Sequence, residues 1–79
     1  MTKYLVSFFT HYDAIKCKRL MRELSVEVTL SPVPRALSSS CGTCANFQCD
    51  FDPVPVLEDD FEQLFLVETD KYVLIANNT

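Results

Sequence analysis

Apolar and aromatic residues dominate positions 3–9, where Tyr4, Leu5, Val6, Phe8 and Phe9 surround a single serine, a short run that predicts a strand buried on at least one side. Thr10 then stands three residues before Asp13, the spacing of a capping box, and predicts a helix over 11–24. At 100° per residue Ala14, Cys17, Leu20, Met21 and Leu24 share one arc of that helix, with Lys16, Arg19 and Glu23 turned away. Cys17 therefore reads as a core residue. Val26, Val28 and Leu30 alternate with Glu27, Thr29 and Ser31, the period of two of a half-buried second strand.

A stiff loop follows over 32–40, since Pro32 and Pro34 fix φ and keep the residues before them extended. Thr43, Ala45, Phe47, Cys49 and Phe51 then fall on one side of a third strand, and Cys44, Asn46, Gln48 and Asp50 on the other. Pro53 and Pro55 end it. Leu57, Phe61, Leu64 and Phe65 have the spacing of a short amphipathic helix whose first turn carries Glu58, Asp59 and Asp60, acids that the helix dipole favours there. A last strand covers 72–76. The resulting order, β-α-β-β-α-β, predicts an α+β ferredoxin-like domain: a four-stranded antiparallel sheet with both helices on one face.

Seventy-nine residues make one domain, 1–79, near the lower end of what buries a self-sufficient core, and it should fold alone or as a small oligomer such as a homodimer. A hydrophobic fraction of 48% marks the chain as globular rather than disordered. No apolar run approaches the ~20 residues a bilayer-spanning helix needs, and the N-terminus lacks the order of a signal peptide, so the expected location is cytoplasmic with no membrane association. The net charge of −4 is unevenly spread. Residues 1–49 hold six Lys/Arg against three Asp/Glu, while residues 50–79 hold one against eight. Overall acidity argues against a nucleic-acid partner, and Lys16, Lys18, Arg19 and Arg22 read as a solvated helix face.

The candidate chemistry lies in the loop and the turn after it. Cys41 directly precedes Gly42, the only glycine, and follows Ser38, Ser39 and Ser40. Glycine serves where the backbone must take φ > 0 or approach something closely, and a thiol is nucleophilic only as its thiolate, which nearby cations and N–H groups favour. In the expected fold, strand one ends, strand two ends and strand three begins at the same edge of the sheet. Cys41 and Arg35 would then meet the first turn of helix one, with His11. Arg35, His11, Ser39, Ser40 and the Gly42 N–H are thus the candidate anion-stabilising groups around Cys41. His11 is equally readable as an ordinary solvent-facing residue.

The segment Pro32-Val33-Pro34-Arg35, with Ser39, Cys41 and Gly42, and the start at Phe8, Thr10, Asp13 and Ala14, resembles a family of small bacterial proteins described as putative selenium/sulfur carrier proteins. The resemblance covers most of the chain. It implies a small α/β domain whose Cys41 holds sulfur or selenium as a persulfide or selenopersulfide. It also implies a carrier role without turnover chemistry, and two partners: a donor such as a cysteine desulfurase and a selenophosphate-forming or thiolating acceptor enzyme. The chain departs from the single-thiol pattern by adding Cys44 and Cys49. Cys44 could act as a resolving thiol that attacks a persulfide on Cys41.

Two rival readings use the same residues. Cys41, Cys44 and Cys49 offer three thiolates within nine residues, so a zinc- or iron-binding or redox-sensing module is the first; structural zinc wants four ligands, and no second C-x-x-C pair follows. Cys49 otherwise reads as a core residue on the apolar side of strand three. The second rival is a small regulatory or protein-interaction domain, because fold alone decides no function. No glycine-rich phosphate loop, serine triad or nucleotide fingerprint occurs.

Overall fold

A computed structural model describes residues 1–37, 39–58, 60–69 and 71–78. The chain runs β1 (Thr2–Ser7), α1 (His11–Glu23), β2 (Thr29–Pro32), β3 (Thr43–Cys49), α2 (Val54–Leu57), β4 (Gln63–Glu68) and β5 (Lys71–Asn77). The strands form one sheet in the order β2-β3-β1-β4-β5, with every neighbouring pair antiparallel. The α+β class and antiparallel sheet agree with the sequence reading, but the sheet has five strands rather than the four expected of a ferredoxin-like domain.

The extra strand comes from the segment read as a second amphipathic helix over 57–65. Its apolar residues do not share a face. Leu64 packs in the cluster with the helices while Phe65 packs on the other side of the sheet with Leu5 and Cys44. A strand buried on both faces reads as a continuous apolar run, which periodicity alone does not separate from a buried helix. The short helix α2 instead begins at Val54, directly after Pro53, with Pro55 in its first turn, where a missing N–H costs nothing. Glu58 and Asp60 consequently follow the helix rather than open it, and Asp59 lies outside the described residues.

Helix α1 starts where the capping box places it: the Asp13 N–H donates to Thr10 Oγ1 at 3.2 Å, and the Thr10 hydroxyl donates to Asp13 Oδ2 at 3.0 Å. Ala14, Cys17 and Met21 are buried; Leu24, expected in the same arc, lies past the last helical turn and is exposed. Lys16 pairs with Asp60, tying α1 to the segment before β4. β2 starts later than the alternation suggested, at Thr29 opposite Asn46, although Val28 ahead of it is already buried.

Both helices contribute to one cluster, Ala14, Cys17, Met21 and Leu57 against Val6, Phe8, Ala45, Phe47 and Leu64. The second sheet face carries a smaller cluster of Leu5, Cys44 and Phe65, over which Val33 and Leu37 of the proline loop pack. The loop is thus a partial lid on the face the helices leave open. Among the described residues no helix is long and apolar enough to cross a membrane.

Candidate functional site

The register sets the site. Ser7 of β1 lies opposite both Cys44 of β3 and Gln63 of β4, and Pro32 opposite Thr43, so the ends of β1 and β2 and the starts of β3 and β4 meet at one edge. The loop between β2 and β3 closes where the Val33 N–H donates to the Gly42 carbonyl at 3.1 Å. Gly42 has φ +74°, a left-handed conformation that L side chains rarely adopt. Within the loop, the Leu37 N–H donates to the Pro34 carbonyl at 3.0 Å, making a turn with Arg35 at its tip.

Two serines fasten the loop to the rest of the domain. The Ser39 hydroxyl donates to the Phe8 carbonyl at 3.0 Å, just past the end of β1. Ser40 donates twice to Glu62, from its N–H to Oε1 at 3.2 Å and from its hydroxyl to Oε2 at 2.8 Å. Glu62, which keeps only 8% of its surface, is also held by its backbone: its N–H donates to the Ser7 carbonyl at 2.8 Å and its carbonyl accepts from the Asn78 N–H at 2.9 Å.

Cys41 sits between these fixtures, half-buried at the margin of the helix-side cluster. Its Sγ lies 3.9 Å from Ser39 Oγ and donates to the Thr43 carbonyl at 3.5 Å. Thr43 Oγ1 in turn lies 3.5 Å from Nδ1 of His11, the first residue of α1. Cys41, Ser39, Thr43 and His11 thus form one chain of contacts, joined to α1 through the Thr43 hydroxyl and the His11 ring. Arg35 is not part of it: it is exposed and makes no hydrogen bond or ion pair among the described residues. Ser40 directs both of its donors at a carboxylate, so the charge fastened next to the thiol is negative rather than the guanidinium anticipated.

The other cysteines lie elsewhere. Cys44 is fully buried on the opposite face of β3, its Sγ 3.4 Å from Ser31 Oγ and 3.7 Å from the Pro32 carbonyl. Cys49 is buried at the far end of β3 opposite Thr2 and donates to the Phe51 carbonyl at 3.2 Å. Burial pushes its thiol up from the ordinary range, and the Asp50 and Asp52 carboxylates add to the effect. Cys17 is pushed up to about 12 by burial in the core. All four thiols are free. Because β3 turns Cys44 away from Cys41 and carries Cys49 to its other end, the three-thiolate zinc or iron site considered from spacing does not form. Among the described residues no group of three or more His, Cys, Asp or Glu is arranged to hold a metal ion.

Residues 3–52 match the family model described as "Putative Se/S carrier protein-like". The chain belongs to this family. The Se/S carrier-like stretch runs from β1 through β3 and includes Cys41, the proline loop and the start of α1, whereas Glu62, β4 and β5 lie beyond it. No curated protein and no solved structure matches the chain.

Sequence reasoning misses Glu62 because the acidic C-terminal third reads as a solvated face, with Glu58, Asp59 and Asp60 at a helix start. Its signal was an acid set between Phe61 and Leu64, both buried here. A groove of about 510 Å³ lined by residues that include Tyr4, Val26, Thr29, Phe47 and Gln48 lies toward the other end of the sheet and holds none of the candidate residues.

Proposed function

We propose that the protein carries sulfur or selenium on Cys41 as a persulfide or selenopersulfide, passing it from a donor enzyme to an acceptor. The observation that carries the reading is that Cys41, inside the family-matched stretch, is the one cysteine of four that is not buried. In loading, the Cys41 thiolate attacks the terminal sulfur of a donor persulfide. The new Cys41 S–S bond forms as the donor's S–S bond breaks, and the donor leaves as its thiolate. In delivery the acceptor takes the terminal sulfur and Cys41 returns as thiolate. No net redox change occurs in the protein.

The first turn of α1, reached from Cys41 through Thr43 and His11, carries a partial positive charge of roughly half a unit that favours an anion. Free thiols throughout fit a reducing compartment such as the cytosol. A cysteine desulfurase suits the donor role, and a thiolating or selenophosphate-forming enzyme the acceptor role. Cys44 has no part in the cycle, because a buried thiol on the opposite sheet face cannot attack a Cys41 persulfide without taking β3 apart.

Intact-mass measurement after incubation with a cysteine desulfurase and cysteine tests the reading. The wild type and Cys44→Ser should gain one sulfur atom, and Cys41→Ser none. A gain that survives Cys41→Ser, or no gain in the wild type, rejects it.

A further inference from the structure

The outward face of α1 is not the evenly charged, solvated face expected from its sequence. Lys16 turns from it to pair with Asp60. Ala14, Cys17 and Met21 lie in the core, and Tyr12, Ile15, Arg19 and Arg22, spaced three, four and three residues apart, form a stripe on the opposite side. Tyr12 keeps 72% of its surface and Ile15 41%, and both arginines are exposed, as is Lys18. Lys18, Arg19 and Arg22 make no ion pair or side-chain hydrogen bond among the described residues, although Glu23 stands within the helix and Glu27 just past it. Lys18 and Arg22 are four residues apart, and Arg19 and Arg22 three, so like charges sit where they repel. The fold leaves this positive charge uncompensated.

The stripe begins beside the Cys41 site. Tyr12 follows His11, whose ring is linked through Thr43 to Cys41. Phe9, 39% exposed, stands just before the helix cap and next to Phe8, whose carbonyl holds Ser39. From Tyr12 to Arg22 the stripe runs about 15 Å along the helix, apolar near Cys41 and basic at the far end.

We infer that this face of α1 docks the persulfide-bearing protein that loads Cys41. The surface that fits it carries carboxylates opposite Lys18, Arg19 and Arg22 and an apolar patch opposite Tyr12 and Ile15. The inference deepens the sulfur-carrier reading and rests on it. Cys41 must touch the terminal sulfur of its donor, so a protein donor covers the ground around Cys41, which α1 adjoins. Tyrosine and arginine are the side chains that most often anchor protein interfaces, and complementary charge speeds encounter and fixes orientation. The basic stripe selects an acidic partner surface, while the net charge of −4 on the whole chain disfavours a nucleic acid or an anionic membrane.

The test follows Cys41 loading by intact mass with two donors. One is a cysteine desulfurase with cysteine. The other is glutathione persulfide, whose terminal sulfur bonds to the Cys41 thiolate as its S–S bond breaks and glutathione leaves as thiolate. Arg19→Glu with Arg22→Glu should slow loading by the enzyme at least about tenfold at low ionic strength, and Tyr12→Ala should slow it about fivefold. Loading by glutathione persulfide, which needs no docking, should be unchanged in both variants. Raising salt from about 0.05 M to about 0.5 M should slow enzyme loading of the wild type several-fold and of the arginine variant much less. Enzyme loading that both variants retain in full, or an equal loss with the two donors, overturns the inference. Wild type that takes sulfur from glutathione persulfide but not from the enzyme overturns it too, and leaves the carrier reading standing. Wild type that takes sulfur from neither donor rejects the carrier reading, and the docking with it. If the arginine variant loads normally but loses wild-type binding to phosphatidylglycerol vesicles or RNA, or loses a wild-type dimer, the face belongs to a membrane, a nucleic acid or a second copy instead.

Discussion

Removing the Glu62 carboxylate tests whether the Cys41 turn is held from β4. Glu62→Ala deletes both acceptors of Ser40, one at 2.8 Å and one at 3.2 Å. Hydrogen bonds to charged groups contribute about 1.5–3 kcal/mol each, and the longer one should sit at or below the low end. Two terms offset part of the loss: Ser40 is exposed, so water can satisfy its freed donors, and the variant no longer keeps a carboxylate with 8% exposure away from solvent. The expected net cost is about 2–3 kcal/mol, which for a domain of this size lowers the melting midpoint by roughly 8–24 °C.

Glu62→Gln keeps one carbonyl acceptor and should cost about half as much. A double-mutant cycle of Glu62→Ala with Ser40→Ala isolates the hydroxyl bond, with a coupling of about 1 kcal/mol or more. The second readout is local. Cys17, Cys44 and Cys49 are buried in the native state, so alkylation under native conditions reports Cys41. Its rate should rise in Glu62→Ala, where the loop keeps only its Ser39 and Val33 ties. A Glu62→Ala protein within about 0.5 kcal/mol of wild type, with unchanged Cys41 alkylation, would refute the reasoning.

Gly42→Ala meets no atom within 4 Å of the added Cβ, so its cost is the left-handed backbone alone, about 1–2 kcal/mol by urea unfolding; a neutral substitution would mean that the turn relaxes. Alkaline stability follows from Cys17, whose thiol burial pushes up from an ordinary value of 9.0 to about 12. Between those values the unfolded chain releases a proton that the folded one keeps. The stability is therefore intact below pH 9 and falls as pH rises toward 12, by about 1.4 kcal/mol per unit. The raised Cys49 adds in the same direction. Cys17→Ala should flatten the slope in equilibrium unfolding measured from pH 8 to pH 11, and an unchanged slope would point to other groups.

Where a local rule and the tertiary environment agree, the chain is readable in advance. Thr10 and Asp13 mark the start of α1 because the capping hydrogen bonds are made within four residues, and β3 is legible because polar Asn46 and Gln48 alternate with buried Ala45, Phe47 and Cys49. β4 escapes notice for the opposite reason. Leu64 and Phe65 serve different clusters, so no single period describes them.

The site divides in the same way. That Cys41 lies beside Ser39 and is linked through Thr43 to His11 of α1 follows from the ends of β1 and β2 and the start of β3 sharing one edge. The partner of Ser40 does not, since Glu62 is 22 residues away and its role depends on a strand the periodicity hid. Arg35 has the charge and the nearness in sequence that point to it, but the turn from Pro34 to Leu37 carries it out to solvent.

Cys41 and Cys44 are three positions apart, yet the backbone of β3 stands between their clusters like an insulating partition. Internal capture by the neighbouring thiol, the usual short circuit of a C-x-x-C pair, is blocked while the sheet is intact. A sulfur or selenium atom held on Cys41, as proposed, would then leave only on encounter with another molecule, and the folded chain would behave toward it as a one-thiol protein.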